Sequence, residues 1–423
     1  MAQQLSFDGD VVIVGGGLAG QTLALALHSA GVSVAVVDVL PFSTQLDDRF
    51  DGRASALAYT SMRMLDTLGA GARLREFTQR IEDIVVCDGR PDDGLRPGGP
   101  GPHSLHFDRH EIHPGADGEP LGWMAENRHA RLAMTEAIAP RSDISVFAPA
   151  RAVDWVRSPA FTDVRLDDGR LLRGRLLVAC DGKFSSIRRR EGTRTFGWGY
   201  GQKGIVATVE HDAPHNGVAY EYFMPSGPFA ILPLSGNRSS LVWTEKAAAA
   251  DALEAMDADG FHEALRARFG NFLGEVRETG PRWTYPLTLN VAERFHADGI
   301  AYCGDAARGI HTLAGQGFNL GIRDAAALAE IVAEQKRLGL DLGSTIGLKR
   351  YESWRRLDSI ALVGATDLFN RLFSNDIAPL RMARGLGLAL VDRIPPARRF
   401  FMRHAGGEIG DLPKLLRGES LAA

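Results

Sequence analysis

The chain has 423 residues, enough for two or three domains with substantial cores, and its 48 basic residues against 52 acidic ones give a net charge of −4. That balance offers no global electrostatic case for nucleic acid. Its three cysteines, Cys87, Cys180 and Cys303, stand far apart with no C-x-x-C pair, which argues against a disulfide framework or a cysteine-built zinc site and fits a reducing, cytoplasmic compartment.

Asp8 and Asp10 occupy the place where a signal peptide needs positive charge, and no run reaches the ~18–20 continuous apolar residues that span a bilayer. A soluble or peripheral protein is expected. Val11 to Val14 reads as a buried parallel strand, and Gly15, Gly17 and Gly20 then fit the G-x-G-x-x-G pattern. The first glycine permits a tight turn, the second lets backbone approach a pyrophosphate, and the third lets the next helix pack closely. A helix through Leu27 follows, with Gly31 as its C-cap, and a second apolar strand, Val32 to Val37, ends on Asp38. An acid there can accept hydrogen bonds from a ribose hydroxyl. Together these residues predict an adenine-dinucleotide site.

A polar loop carrying Asp47, Asp48, Arg49 and Asp51 leads to Arg53, read as lying at the mouth of an amphipathic helix with Leu57, Met62, Leu65 and Leu68. An arginine there can clamp phosphate, or it is simply a helix-start surface residue. From Ile81 to Glu119, short β-like runs flank a Gly/Pro/Asp-rich loop. His103, His106, His110 and His113 cluster in this region, but without a helical or knuckle spacing, so no metal is predicted. Asn127 and Arg128 open a helix. Strands then alternate up to Leu176–Cys180, which runs into Asp181, Gly182, Ser185 and Arg188, a second ligand-facing turn.

Residues 196–283 read as mostly β with a helical insert over Ala247 to Phe269. The second anchor is Ile300 to Arg308, followed by His311, Thr312, Gly315, Gln316, Gly317 and Asn319 and a long helix. A strand delivers Asp305 to a ribityl or ribose hydroxyl, and the glycines let a helix N-terminus approach a ring, where its dipole stabilises negative charge. A nicotinamide dehydrogenase has no need of this distant anchor, so the dinucleotide is predicted to be FAD. The tail is helical, and residues 381–403 carry six arginines against the single acid Asp392, interleaved with leucines and phenylalanines. It reads either as a core stripe with a solvated face or as an interfacial patch for an anionic membrane or a partner.

With these anchors placed, the sequence resembles the FAD-dependent aromatic monooxygenases of the p-hydroxybenzoate hydroxylase class, and within them the ubiquinone-biosynthesis subgroup. The resemblance covers nearly the whole chain. The family's glycine fingerprint maps to Gly15, Gly17, Gly20 and Asp38, its Asp-Gly motif to Asp181, Gly182, Ser185 and Arg188, and its Gly-Asp motif to Gly304 and Asp305. The segment after it maps to His311, Gly315, Gln316, Gly317 and Asn319, and the subgroup's arginine and Asn-Arg helix start map to Arg53, Asn127 and Arg128. Two positions depart from the pattern: Arg308, where the family often has His, and Thr312, where it usually has Pro.

The resemblance implies an α/β fold. A discontinuous Rossmann-like FAD-binding domain is expected over 5–76, 125–195 and 284–345, an inserted antiparallel β-sheet substrate domain over 77–124 and 196–283, and a helical region over 346–423. It also implies a hydroxylase in which NAD(P)H or another donor reduces FAD, and O₂ adds to give a flavin hydroperoxide that attacks the ring of a polyprenylated phenol. His311 and Gln316 are the expected flavin-edge residues. A quinone-biosynthesis complex and the inner membrane face are the expected partners. A catabolic hydroxylase of a small aromatic and a non-catalytic flavin-bearing scaffold are the alternatives.

Overall fold

The computed structural model describes residues 7–47, 51–88, 104–115, 118–309, 317–373, 387–388 and 390–422. The apolar run Val11–Val14 forms the middle of a six-stranded sheet ordered His296–Ala297, Ile300–Tyr302, Leu176–Ala179, Val11–Val14, Val34–Val37, Ile144–Phe147. Val11 sits opposite Leu176 on one side and Val34 on the other, both in parallel register. Such strands are covered on both faces, which is why each reads as an unbroken apolar run. Helix Leu18–Ser29 packs between helices Asn127–Ile138 and Gly317–Arg337. The parallel arrangement sends the turns after Val14, Val37, Ala179 and Tyr302 out of one edge of the sheet. Ligands of open α/β sheets bind at this carboxyl edge.

A three-stranded sheet, Ala54–Ala58, Gly122–Glu126 and Gln79–Ile81, lies beside this layer. Here the expectation for Arg53 is corrected: the residue precedes a strand, and helix Tyr59–Thr67 begins only afterwards. Ala-Ser-Ala-Leu-Ala favours helix by local propensity, but the ladder from Ala54↔Glu126 to Ala58↔Gly122 overrides it.

The third layer is a nine-stranded sheet. It is antiparallel except where Val218–Met224 runs parallel to Asp83–Asp88. Strand Trp283–Ala292 belongs to it, pairing along Thr195–His211 from Ala292↔Thr195 to Trp283↔Val206. A boundary at 284 falls after the first residue of this strand and separates the rest of it from the sheet it pairs with. The expected helical insert is two helices, Ala247–Glu254 and Ala258–Phe269. Phe261, Leu265 and Phe269 cover the outer face of the sheet against Tyr222, Phe229 and Trp243. Its inner face opposes the three-stranded sheet, with Ala219, Ala230, Leu232 and Leu234 packed in one cluster with Ala54, Ala56, Ile81 and Met124.

The C-terminal part forms helices Thr345–Phe373 and Pro395–Ala405. Leu388 and Val391 close over Leu105 and Phe223 of the large sheet. Among the described residues, no helix is long and apolar enough to cross a membrane.

Candidate cofactor and active site

The glycine turn is built for a guest. Gly15 has φ +106°, and a Cβ there would meet the Cys180 carbonyl oxygen at 2.2 Å. A Cβ on Gly20 would meet the Gly15 oxygen at 1.9 Å, so the third glycine lets the helix close onto the turn itself. Gly17 differs, because nothing lies within 4 Å of its would-be Cβ. It is the N-cap of helix Leu18–Ser29, whose first turn has neither a capping side chain nor an acid. Free backbone N–H groups at a positive helix end, facing open space, form an anion site. Asp38 stands beside it, accepting from Gly16 N at 2.6 Å through one carboxylate oxygen and from Leu40 N at 2.8 Å through the other. Each oxygen keeps a lone pair for a ribose hydroxyl.

Arg53 is half-exposed and forms a bidentate pair with Asp51, at 2.7 and 2.9 Å. Asp51 is buried and also accepts from Arg131 at 2.8 Å and Asn127 at 3.2 Å. Burial alone would raise this carboxyl, but the hydrogen bonds and charges of Arg53 and Arg131 hold it well below the ordinary carboxylate range. The Arg53 guanidinium lies 5.2 Å from the centre of the Tyr285 ring, and a Cβ on Gly52 would meet the Trp283 ring at 1.7 Å. The strand bearing both aromatics thus presses the Asp51–Arg53 turn into place from the β layer.

Asp181 caps the next turn, accepting from Ser186 N at 2.7 Å. Buried Arg188 joins that turn to the second anchor, donating to the Lys183 oxygen at 2.9 Å and the Ala306 oxygen at 2.6 Å. Gly304 has φ +62°, and a Cβ there would approach Ala19 at 3.0 Å. Asp305 is accessible to water yet has protein on nearly every side, as at the floor of a cleft. Burial pushes its carboxyl up, against the pull of Arg53, Arg308 and Lys183. The arginine turn and the Gly-Asp turn therefore face one another across that cleft.

Beneath it lies a buried ion cluster. Asp324 accepts from Arg308 at 2.8 and 3.0 Å, from Arg355 at 2.8 Å and from Gly304 N at 3.0 Å. Arg355 continues to Asp358 at 2.7 Å. The departure from the family pattern at Arg308 is therefore a fully buried ion pair holding the Gly-Asp turn.

Of the residues expected from the sequence, Gly15, Gly17, Asp38, Asp181, Gly182, Gly304 and Asp305 lie in turns at the sheet's carboxyl edge, with Gly20 one turn into the first helix. Gly317 begins helix Gly317–Arg337 with open space at its would-be Cβ. Asn319 ties that helix to the small sheet, donating to the Ala56 oxygen at 2.7 Å and accepting from Ala58 N at 2.9 Å. Arg128, next to Asn127 at the start of helix Asn127–Ile138, lies 3.4 Å from Glu126, which also holds Arg238 at 3.3 Å. His311, Thr312, Gly315 and Gln316 lie outside the described residues, as does His103. The other three loop histidines each bond a different acceptor: His106 Asp83, His110 Asp108, and His113 the Glu119 oxygen. Sequence reasoning missed Asp51, Asp324 and Arg355. Each has a partner on a distant segment: Asp51 has Arg131, Asp324 has Arg308 and Arg355, and Arg355 has Asp324.

The open Gly17 cradle, the carboxylate Asp38 and the recessed Asp305 lie in a row along one sheet edge, which suits an extended dinucleotide. The comparisons with known proteins agree. A family model described as FAD binding domain matches residues 8–363. Ubiquinone hydroxylase UbiL of Rhodospirillum rubrum is 45% identical over 415 residues, covering 97% of this chain and 93% of that protein. The 3-demethoxyubiquinol 3-hydroxylase of Escherichia coli is 30% identical over 405 residues, covering 94% and 98%. Among solved structures, p-nitrophenol 4-monooxygenase PnpA from Pseudomonas putida matches with a TM-score of 0.79 at 18% identity, covering 96% of this chain and 99% of that one. At that identity the likeness concerns the fold alone.

Proposed function

The chain belongs to the family of FAD-binding aromatic hydroxylases that includes the ubiquinone hydroxylases, and on that premise we propose that it hydroxylates the ring of a polyprenylated phenol in ubiquinone biosynthesis. The observation that carries the reading is the 45% identity, sustained over 97% of the chain, to a ubiquinone hydroxylase. FAD, reduced by NAD(P)H or another donor, supplies the oxygen-activating chemistry when bound.

The chain's own residues bind, orient and shelter. Gly15, Gly17 and the start of helix Leu18–Ser29 hold the pyrophosphate, Asp38 a ribose hydroxyl and Asp305 the ribityl chain. Arg53, fixed by Asp51, faces the same cleft. Asp181, Gly182 and Arg188 shape the turn that meets it, and Asn319 sets the first turn of the helix aimed at the flavin ring. His311 and Gln316 are assigned to the flavin's reacting edge, Gly315 and Gly317 to letting the helix start approach the ring, and Arg128 to FAD binding. The β layer roofs the cleft with apolar residues and keeps water from the reacting centre.

The tail is assigned to a membrane surface, on the inner face where such a lipid substrate resides. Leu390, Ile394, Phe400 and Phe401 are exposed there, and among the described residues no carboxylate pairs with Arg393, Arg399 or Arg403. An apolar face rimmed by unpaired arginines suits anionic lipid.

The test is the quinone profile of a strain lacking this chain, read by mass spectrometry of lipid extracts. Loss of ubiquinone, with a prenylated intermediate one oxygen short, is expected, and the intermediate's identity would name the ring position. Unchanged ubiquinone would contradict the assignment.

A further inference from the structure

We propose that Glu221 is the residue that receives the substrate's phenolic hydroxyl and takes up its proton during ring hydroxylation. The inference rests on the reading of the chain as a phenol hydroxylase and goes beyond it by assigning the acid–base group.

Glu221 sits in the middle of strand Val218–Met224. Its neighbours Tyr220, Tyr222 and Met224 turn to the outer face and pack against the two helices. Ala219, Glu221 and Phe223 therefore share the inner face, which looks toward the flavin-binding layers. Across the sheet, Glu221 stands in one row with Ala230 on one neighbouring strand and Val86 on the other. The row continues through Val242 and Val206 to Trp283, the residue pressed on Gly52 beside Arg53.

Two apolar patches flank the carboxylate. Ala219 and Ala230 pack with Ala54, Ala56 and Met124 on one side, and Phe223, Val86 and Leu105 with Leu388 on the other. Ala56 is the residue whose carbonyl Asn319 holds at the start of helix Gly317–Arg337. Glu221 thus lies one layer from the flavin-facing helix start, in a surface otherwise suited to a prenyl chain.

A carboxylate in such a place needs a reason. Glu221 is neither fully buried nor exposed, and among the described residues no hydrogen bond or ion pair reaches it. Unpaired carboxylates in apolar surroundings are costly and are uncommon without a ligand. Of the charged groups near it, Arg238 on the same face holds Glu126, Arg53 on the facing turn holds Asp51, and Asp88 lies on the same face two residues beyond Val86. Burial alone pushes the Glu221 carboxyl up to about 8. That brings it nearer to a phenol's acidity, where proton transfer is most effective.

In the step, the phenolic O–H bond breaks toward Glu221. Its electron pair moves into the ring as the ring carbon bonds to one oxygen atom derived from O₂; the O–O bond breaks, the other oxygen atom leaves toward water, and the donor supplies the two electrons through the cofactor. The carbon then loses its hydrogen to water, and Glu221 returns its proton to the phenolic oxygen, restoring the aromatic diol.

The experiment uses the full-length flavoprotein with a short-chain 2-prenylphenol and its methyl ether as probes. Binding is read by tryptophan fluorescence without any reductant, so no turnover intervenes. At a pH above about 8, where Glu221 is charged, wild type should prefer the phenol over the ether, and E221L should lose about tenfold of that preference, the weight of a hydrogen bond to a charged group. With donor and O₂ present, E221Q should bind the phenol with little change, while its kcat falls about 100-fold and the rise in rate as pH passes about 8 disappears. Flavin retention and unfolding midpoint close to wild type establish that both variants are folded; Leu suits the apolar walls. Unchanged phenol preference in E221L, or an unchanged pH limb in E221Q, would overturn the proposal. If wild type bound neither probe, the phenol-hydroxylase reading would fail and the proposal with it.

Discussion

Asp324→Asn is the substitution from which the buried ion cluster can be judged. The Asp324 carboxylate is fully buried and accepts four hydrogen bonds, two from Arg308, one from Arg355 and one from Gly304 N. Those four use its full accepting capacity. An amide would turn an NH₂ toward guanidinium donors and remove the one carboxylate that, among the described residues, pairs with buried Arg308, leaving Arg355 paired with Asp358. Removing one partner of a buried pair costs about 3–5 kcal/mol, a large share of the roughly 5–15 kcal/mol that stabilises a typical domain. Because one lost bond holds Gly304 N, the turn carrying Asp305 should loosen as well. Urea unfolding followed by far-ultraviolet dichroism, with released flavin fluorescence in parallel, measures both effects. Arg308→Met combined with Asp324→Leu should be milder than Asp324→Asn alone, since the buried Arg308 charge is removed together with its partner, while Arg355 loses Asp324 and keeps Asp358 in both variants. A loss under about 1 kcal/mol in Asp324→Asn, with flavin held as in wild type, would refute the reasoning.

The two glycines separate cofactor binding from folding. Gly17→Ala meets open space, so its unfolding midpoint should stay near wild type while FAD affinity falls about tenfold or more, and Gly20→Ala, with its Cβ 1.9 Å from the Gly15 oxygen, should unfold at lower denaturant; equal midpoints would contradict the assignment. Asp51 has a folded-state carboxyl held below its ordinary value, so it adds stability above about pH 4 that is lost as pH falls toward the folded value. Stability curves of Asp51→Asn and wild type should therefore differ at neutral pH and converge on acidification, and a constant offset would exclude the ion pair as the cause. For the tail, Arg399→Glu combined with Arg403→Glu should weaken co-sedimentation with vesicles containing phosphatidylglycerol by more than tenfold, at about 1 kcal/mol per basic residue, and equal sedimentation would remove the membrane assignment.

The parts of this site that the sequence discloses are those where backbone geometry demands one residue type. Gly15 must be glycine because of its φ and the Cys180 carbonyl, and Asp305 follows a strand whose apolar run is unmistakable. Elements set by pairing were harder to read. Ala54–Ala58 is alanine-rich and becomes a strand only because Gly122–Glu126 lies alongside, and Trp283–Ala292 joins the large sheet through a ladder to residues about 90 positions earlier. The buried ion cluster was illegible for a similar reason. Arg308, Asp324 and Arg355 lie on separate elements, and only tertiary packing reveals that one carboxylate serves two arginines. Glu221 reads as one polar residue in an aromatic strand until the sheet shows which face it shares with Ala230 and Val86.

The most direct measurement is oxygen-isotope transfer by the purified flavoprotein. It would be supplied with a chemical or enzymatic electron donor, a short-chain prenylated phenol and isotopically labelled O₂, and the product analysed by mass spectrometry. One labelled oxygen atom on the aromatic ring, formed only when donor and flavin are both present, is the predicted result. Donor oxidation that yields peroxide and returns the phenol unchanged, in protein that has kept its flavin, would contradict the account.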